Sequence, residues 1–147
     1  GNLYSYEEAK ANAPEGWRLP TDEDWKKLER AMGMSQGDAD ATGFRGTEEG
    51  TLLQQDITGT GIALPFGGYA IVTGRPAALR FRHWREFGYF WTATEEKNET
   101  PFPDAYYRKI SFRSSQIERG ITRIVDSNYE TNYPKHMSVR YVRDAVD

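Results

Sequence analysis

The stretch that decides the fold is residues 16–28, GWRLPTDEDWKKL. Pro20 favours an extended conformation at Leu19, because the proline ring disfavours the helical region for the residue before it. Thr21 and Asp24, three residues apart, form the pattern of a capping box, in which each side chain accepts a hydrogen bond from the other residue's backbone N–H. The chain is therefore expected to leave a turn and to start a helix after Thr21.

The helix predicted after this turn spans residues 22–32. Three carboxylates lie in its first turn, where they interact favourably with the positive end of the helix dipole. Trp25, Leu28 and Met32 recur at i, i+3 and i+7 and form one apolar stripe, which is typical of a helix packed on a core. Gly33 then suits the end of the helix.

We interpret the stretch as structural rather than as a ligand site, because turn and cap chemistry account for most of its residue types. Arg18 is expected to pair with a carboxylate. The residues with a predicted structural role are Trp17, Arg18, Leu19, Pro20, Thr21, Trp25 and Trp91. The rings predicted to lie in the core are Trp17, Trp25, Phe90, Trp91, Phe112 and Tyr141.

The rest of the chain divides into a helical and a strand-rich part. Ser5 and Glu8 form a second capping pattern and predict a short first helix. Residues 35–61 are interpreted as a long ordered loop with a helical turn near residues 48–54. Runs of aromatic and β-branched residues predict strands at residues 62–72, 87–93, 105–113, 121–125 and 137–142. Helices followed by short antiparallel sheets predict an α+β fold.

Composition favours one globular domain with an aromatic core. Leu, Ile, Val and Phe make up about 18% of the 147 residues, below the ~20% at which disorder is suspected. However, 14% of the residues are aromatic and the net charge is only −3, whereas disordered chains combine high charge with few rings. Each ring buries about 150–250 Å², so rings can supply the core.

Charge and composition also exclude several kinds of site. Residues 1–60 carry 6 basic and 12 acidic side chains, and residues 61–147 carry 13 and 10. This balance argues against a nucleic-acid partner. The absence of cysteine excludes a disulfide scaffold, a thiolate metal site and a cysteine nucleophile. The longest largely apolar run, residues 62–72, is short and contains proline and glycine, so no membrane span is expected.

Five stretches carry a family resemblance. They are residues 16–28 (GWRLPTDEDWKKL), 43–52 (GFRGTEEGTL), 63–69 (ALPFGGY), 88–95 (GYFWTATE) and 138–144 (SVRYVRD). Together they resemble the Fibrobacter succinogenes major paralogous domain, which is abundant in Bacteroidetes-type surface proteins. That family is similar to the C-type lectin-like fold, in the variant that formylglycine-generating enzymes use.

The resemblance implies one C-type lectin-like domain over residues 1–147, with two N-terminal helices followed by short antiparallel sheets and long loops. It also implies an extracellular or outer cell-surface location. Many members carry cysteines where this chain has Ala13 and Tyr141, so packing and strand pairing are expected to replace the implied disulfide. Members often have an upstream strand segment, and this sequence is expected to lack it.

The most distinctive local feature is residues 75–85, where four arginines are interleaved with aromatic side chains. Guanidinium groups beside exposed rings such as Phe81 suit anionic sugars, phosphates or a protein partner. The candidate ligand-binding residues are Arg80, Arg82, His83, Trp84, Arg85, Tyr107, Tyr129 and Tyr133. In the alternative interpretation, the arginines neutralise acidic side chains of the first 60 residues through solvated ion pairs. The tyrosines then serve as core residues or loop anchors.

A calcium site is a second candidate. Asp38, Asp40, Thr42 and Glu49 match oxygen positions of the EF-hand loop, with threonine in place of one Asp or Asn. Arg45 argues against calcium, because it places a positive charge in the loop. The lectin-type calcium motifs Glu-Pro-Asn and Trp-Asn-Asp are absent. We therefore expect no cofactor and a calcium-independent ligand.

The sequence favours a non-enzymatic cell-surface or secreted binding module for a glycan or a protein. The alternative is a purely structural domain of a larger bacterial surface protein or assembly. A hydrolase-type enzyme ranks third, because plentiful carboxylates do not define an acid–base pair without geometry. The cysteine chemistry of the formylglycine-generating relatives is absent as well.

Overall fold

The computed structural model describes residues 2–55, 61–128 and 131–145. The helices there are α1 (Tyr6–Ala11), α2 (Asp22–Ala31), α3 (Gln36–Asp40) and α4 (Glu49–Gln54). The strands are β1 (Tyr4–Ser5), β2 (Gly43–Arg45), β3 (Tyr69–Thr73), β4 (Ala78–Arg82), β5 (Phe87–Glu96), β6 (Asp104–Ser111), β7 (Ile117–Arg123), β8 (Val125–Asn128), β9 (Thr131–Pro134) and β10 (His136–Met137). None of these helices is long and apolar enough to cross a membrane.

The strands of the described residues form two antiparallel four-stranded sheets and one hairpin. The first sheet has the order β1-β10-β3-β4, the second has the order β2-β7-β6-β5, and β8 pairs with β9. The two sheets meet along β5. The N–H of Ser138 donates to the carbonyl of Tyr89 at 2.9 Å, and the N–H of Trp91 donates to the carbonyl of Ser138 at 3.1 Å. Backbone hydrogen bonds thus join the sheets.

The prediction of an α+β fold of the C-type lectin-like kind, with two N-terminal helices, was wrong. The described part of the chain is mostly β, and the four helices there hold only six, ten, five and six residues. Strands of two to five residues contain too few positions for a period of two to be visible. Their pairing also joins distant segments, since Tyr4 of β1 lies opposite Met137 of β10.

The predicted strands are most accurate in the second sheet. Residues 87–93 and 105–113 lie largely in β5 and β6. By contrast, residues 62–72 contribute to β3 only at their end, and residues 137–142 reach β10 only at their first position. The expected loop at residues 35–61 contains α3, β2 and α4. The strand β4 was missed, because its residue types suggested a ligand surface instead.

Both predicted capping boxes are confirmed. The hydroxyl of Ser5 accepts from the N–H of Glu8 at 3.2 Å, and the carboxylate of Glu8 accepts from the N–H of Ser5 at 2.9 Å. Thr21 and Asp24 repeat the arrangement at 3.1 and 2.8 Å. The boxes fix the starts of α1 and α2, and α2 ends at Ala31, one residue before its predicted end.

Two buried clusters lie on opposite faces of the second sheet. Neighbouring side chains of a strand point to opposite faces, so Phe90 and Trp91 of β5 enter different clusters. The first cluster contains Trp25, Met34, Ala39, Leu53, Leu64, Phe90, Ile110 and Ile117. The second contains Tyr6, Ala9, Leu19, Trp91, Ala105, Ile124 and Met137. Both faces of this sheet are therefore core.

The predicted core rings are only partly correct. The structure confirms burial of Trp25, Phe90 and Trp91. It shows Trp17 and Phe112 to be 41% and 52% exposed, so their prediction was wrong. Trp17 instead carries the guanidinium of Arg143 5.1 Å from its ring centroid. Tyr141 is half-buried, and its hydroxyl donates to the carbonyl of Ala9 at 2.6 Å, which ties the two ends of the chain.

Candidate functional site

The hairpin of β3 and β4 presents most of the arginines and rings of residues 75–85. Its strands pair in an unbroken antiparallel register. Neighbours along a strand lie on opposite faces of the sheet, and directly opposed residues share a face. Leu79 and Phe81 therefore lie on one face, whereas Arg80 and Arg82 lie on the other. The alternation in sequence becomes a separation of apolar and cationic side chains in space.

A groove of about 730 Å³ lies on the apolar face of this hairpin. Its lining includes Leu79, Phe81 and Trp84, which are 45%, 63% and 64% exposed. Large apolar groups that stay in water mark interaction sites when they are contiguous. We call this feature the hairpin groove and define it by Tyr4, Glu8, Leu79, Phe81, Trp84 and His136.

Trp84 follows β4 in a turn with a strained backbone. His83 and Arg85 have φ values of 60° and 67°, in the left-handed region that costs a non-glycine residue about 1–3 kcal/mol. Hydrogen bonds fix the turn: the N–H of Arg85 donates to the carbonyl of Phe66 at 2.9 Å, and that of Phe87 donates to His83 at 3.0 Å. The guanidinium of Arg85 lies 4.3 Å from the ring centroid of Trp84. The turn therefore holds a tryptophan that stays exposed.

The polar side chains of the hairpin groove come from α1 and β10. The Nε2 atom of His136 lies 3.5 Å from the carboxylate of Glu8, and its Nδ1 atom lies 3.1 Å from the carbonyl of Pro134. Hydrogen bonds with the backbone and the side chain of Ser5 lower the pKa of Glu8. The groove therefore combines aromatic surfaces with an ionised acceptor and an imidazole, as ligand sites commonly do.

The arginines of the hairpin bind backbone oxygens rather than carboxylates. The Nε atom of Arg80 donates to the carbonyl of Thr73 at 3.2 Å, and Nη1 of Arg82 donates to the carbonyl of Phe81 at 3.4 Å. Within the described residues, Arg80, Arg82 and Arg85 form no ion pair with Asp or Glu. The structure thus gives no support to the interpretation in which these arginines neutralise the acidic first part of the chain.

Three other arginines neutralise two acidic residues of α2, Asp22 and Glu29. Glu29 is completely buried and accepts hydrogen bonds from Arg45 at 2.7 Å and from Arg108 at 2.9 Å. Asp22 accepts from Arg108 at 2.7 Å and from Arg119 at 2.9 Å. Burial acts to raise the pKa of Asp22, but the two arginines outweigh burial and lower it. These partners hold α2 against the second sheet.

This buried network was not predicted from the sequence. Its available signal was the spacing of Asp22 and Glu29, which lie two turns apart on one face of α2, together with Trp25. A carboxylate on the apolar side of a helix requires a cation in the core. Only the sheet shows that Arg108, on the same face of β6 as Ile110, is one of the cations that bind these carboxylates.

Tyr107 lies in a row of tyrosines. Ring centroids are 5.2 Å apart for Tyr69 and Tyr89, and 6.2 Å apart for Tyr89 and Tyr107. The hydroxyl of Tyr107 donates to Glu118 at 3.0 Å. Burial raises the pKa of Tyr89 to about 12 and also raises that of Tyr107. Tyr107, a candidate ligand-binding residue, is half-buried, and its ring packs against the second cluster.

The other predicted ligand residues are dispersed. The ring of His83 lies 5.7 Å from that of Tyr69 and 5.1 Å from that of Phe87, on the side of the tyrosine row. Tyr133 lies in β9, is half-buried and does not line the hairpin groove. Tyr129 lies outside the described residues. Of the eight predicted ligand-binding residues, Trp84 lines the hairpin groove.

Two of the four residues of the calcium prediction, Asp40 and Glu49, have partners elsewhere in the protein. The carboxylate of Asp40 accepts from Gln36 at 3.0 Å and lies 3.0 Å from the Nζ atom of Lys26. Glu49 accepts from the N–H of Thr47 at 3.1 Å. Among the residues that the structure describes, no three His, Asp or Glu side chains are placed to hold one metal ion. The geometry therefore does not bring Asp38, Asp40, Thr42 and Glu49 together around a cation.

Residues 33–37, GMSQG, match the Gly-x-Ser-x-Gly pattern of a serine nucleophile. That pattern requires a turn between a strand and a helix, whereas residues 33–37 connect α2 to α3. Ser35 is the N-cap of α3, and its hydroxyl accepts from the N–H of Asp38 at 3.1 Å. Ser35 therefore has a capping role in this structure.

Residues 16–28, which were interpreted as structural, make the contacts expected of a scaffold. Arg18 binds the carboxylates of Asp24 and Asp144, which confirms its predicted pairing with a carboxylate. The N–H of Arg18 donates to the carbonyl of Val142 at 2.7 Å. The carbonyl of Pro20 accepts from the N–H of Ala93 at 2.8 Å. The stretch thus joins the end of the chain and β5.

No curated protein and no solved structure matches the chain. The C-type lectin-like part of the resemblance therefore has no support from a comparison. The family model of the Fibrobacter succinogenes major domain matches residues 1–143. The chain therefore belongs to the Fibrobacter succinogenes major domain family.

Proposed function

We propose that this chain is a non-enzymatic binding module whose ligand, a glycan or a protein, occupies the hairpin groove. The observation that carries the proposal is the exposure of Leu79, Phe81 and Trp84 along one groove. Burying apolar surface contributes about 25 cal/mol per Å². A ligand that covers these side chains therefore gains binding free energy from apolar surface that is exposed to water in the isolated chain.

The strained turn supports the same proposal. The left-handed backbone at His83 and Arg85 costs free energy, and Trp84 between them gains little burial in return. Strain of this kind persists at sites where the conformation serves a ligand.

The pKa of Glu8, the carboxylate of the groove, is lowered, whereas a general acid needs a raised pKa. Glu8 is therefore suited to accept hydrogen bonds from a ligand rather than to act as a general acid.

Calcium independence and an outer cell-surface or secreted location complete the proposal. The carboxylates of Asp40 and Glu49 in the candidate calcium loop already have partners in the protein. The location rests on the resemblance to a domain that is abundant in bacterial surface proteins. The alternative function, a purely structural domain of a larger surface assembly, predicts that the exposed groove has no ligand.

A glycan array read in EDTA tests the glycan half of the proposal. We expect reproducible hits that the double variant F81A/W84A loses, with a fall in affinity of about thirtyfold, the effect of losing about 2 kcal/mol at a central ring. The matched control is W17A, which removes another exposed tryptophan outside the groove. Hits that both variants lose equally contradict binding at the hairpin groove.

Site-specific cross-linking tests the protein half. A photoreactive residue replaces Phe81 in one variant and Trp17 in the other, and both are illuminated on bacterial cells that display the domain. A cross-linked protein seen with the first variant alone supports a protein ligand. A blank array together with no cross-link from position 81 supports the structural alternative.

A further inference from the structure

One edge of β4, the outer strand of the first sheet, has no strand paired to it among the described residues. The other edge pairs with β3, and all five residues of β4 are exposed. In an antiparallel pair, alternate residues direct their N–H and C=O groups away from the partner strand. Along the outer edge of β4, the hydrogen bond seen in the described residues is the long one from Arg82 to the carbonyl of Phe81. This edge can accept another strand.

The edge lacks two common protections against strand addition. Proteins often interrupt an exposed edge with a proline or a bulge. The register of β4 runs without a break from Ala78 to Arg82, and neither feature occurs in it. What β4 carries is positive charge. Residues 75–86 contain four arginines and one glutamate, and that glutamate lies beside His83.

The two faces of β4 specify different neighbours. Side chains directly opposite each other on paired strands interact, and opposite charges there are favourable. A strand beside β4 therefore places apolar residues next to Leu79 and Phe81, where they extend the apolar face that lines the hairpin groove. It places acidic residues next to Arg80 and Arg82, which have no carboxylate partner among the described residues.

We propose that β4 binds an extended segment of a partner protein, in which acidic and apolar residues alternate, by adding it as a fifth strand to the first sheet. This inference rests on the proposed binding function and names its partner class. Backbone hydrogen bonds provide affinity in this mode of recognition, and alternate side chains provide specificity.

A second copy of this chain fits the edge poorly. Any pairing of two β4 strands that keeps both apolar faces together also places the guanidinium groups of both copies on one face. Like charges opposite each other destabilise paired strands. A glycan could stack on Phe81 and Trp84, but it would leave the backbone edge and the opposite arginine face unused. An acidic, extended peptide uses the edge and both faces.

The probe is a synthetic peptide that alternates Glu and Val, and its binding to the unaltered chain is measured by fluorescence polarisation. One control peptide has the same composition with its Glu and Val residues in two blocks. The other keeps the alternating sequence but carries N-methyl groups on alternate backbone nitrogens, which remove hydrogen-bond donors. We expect the alternating peptide to bind and both controls to lose binding. The protein is unchanged in all three measurements, so folding does not affect the result.

The charge dependence is tested with R80E/R82E. We expect about a tenfold loss of peptide affinity, because two favourable cross-strand pairs become repulsive. The matched control R140E/R143E changes the net charge equally at exposed positions away from the hairpin and should retain affinity. Hydrogen exchange of the Leu79 and Phe81 amides should slow when the alternating peptide binds.

Each contrary outcome has a definite meaning. Equal binding of the block or N-methylated peptide overturns strand addition in favour of unspecific charge attraction. A dimer of the chain that R80E/R82E strengthens also overturns it, because the partner is then a second copy. If no peptide binds while array hits depend on Phe81 and Trp84, strand addition fails and the proposed function stands. If array, cross-link and peptide are all negative, both fail.

Discussion

The arginines that bind α2 and those of the β3–β4 hairpin have opposite surroundings. The first group is buried, whereas Arg80 and Arg82 are exposed. Arg108 is completely buried, and both Asp22 and Glu29 accept its hydrogen bonds. Arg80 and Arg82 are exposed, and their described hydrogen bonds go to backbone carbonyls. A buried charge without its partner is strongly destabilising, whereas water solvates an exposed one at little cost. The same side chain is therefore scaffold in one region and available to a ligand in the other.

Tryptophans repeat this contrast. Trp91 has no exposed surface, packs edge-on against Tyr6 with centroids 5.5 Å apart, and donates from Nε1 to the carbonyl of Tyr4 at 2.8 Å. Trp84 is largely exposed and has the guanidinium of Arg85 over its ring. The four predictions below test whether substitutions in the buried scaffold and in the hairpin change the free energy of unfolding by different amounts.

The largest effect is expected from R108A. Removing this guanidinium leaves Asp22 and Glu29 buried with fewer cations, which costs about 3–5 kcal/mol of unfolding free energy. Urea unfolding measures the loss. The control R82A should change stability by less than about 0.5 kcal/mol, as expected for a surface substitution. Similar losses for both variants contradict the distinction between scaffold and hairpin arginines.

The next largest effect is expected from G68A. Gly68 has a φ of +65°, and a Cβ atom there would lie 2.1 Å from the carbonyl oxygen of Arg82 and 2.8 Å from the backbone nitrogen of Trp84. We expect a loss of about 1–3 kcal/mol from the forced backbone shift. Faster amide exchange along β4 should accompany the loss.

Gly37 provides the control for that glycine. A Cβ atom there meets nothing within 4 Å, and the residue lies in α3, so G37A should be neutral or stabilise the protein by up to about 1 kcal/mol. If G68A is as stable as G37A, the close approach at Gly68 does not hold the turn that carries Trp84.

The third prediction concerns acid. The hydrogen bond from Arg18 lowers the pKa of Asp24 from 3.8 to about 2. Because the folded-state pKa lies below the ordinary value, the contribution of Asp24 is complete above about pH 4 and is lost as the pH falls towards 2. D24N should lose about 1 kcal/mol at pH 7, the cost of a weakened cap. The stability difference between wild type and D24N should shrink between pH 4 and 2, and a constant difference contradicts the ionic role of Asp24.

The smallest effect is expected from F81A/W84A. Both rings are mostly exposed, so thermal unfolding should show a change of less than about 0.5 kcal/mol. W91A, the buried counterpart, should lose about 3–5 kcal/mol. A large loss from the double variant identifies the hairpin rings as scaffold and removes the main support for a ligand site there.

The sequence predicted local features well and long-range ones poorly. The capping boxes of Ser5 and Thr21 depend on residues three positions away, so their pattern is visible in the chain. The exposure of Trp17 and Phe112 depends on which segments pack over them, and their motif and strand positions gave a wrong prediction. β4 was missed because its alternating arginines and apolar residues were interpreted by chemistry rather than by a period of two.

The candidate site shows the same limit. The sequence singled out residues 75–85 and the exposure of Phe81 and Trp84, and the structure bears out that exposure. It did not indicate that Glu8 and His136 line the same groove, because pairing of β1 with β10 and of β10 with β3 brings them there. Nor did it separate the arginines from the rings, since that separation follows from the pleat of a strand.

By itself, the sequence determined where α1 and α2 begin, the aromatic character of the core, the absence of thiol chemistry and membership of a domain family. These properties depend on composition or on residues a few positions apart. Only the tertiary structure decided which arginines are buried with carboxylates and which stay exposed on the hairpin. That choice depends on burial, because a low-dielectric interior requires each charge to have a partner, whereas water does not.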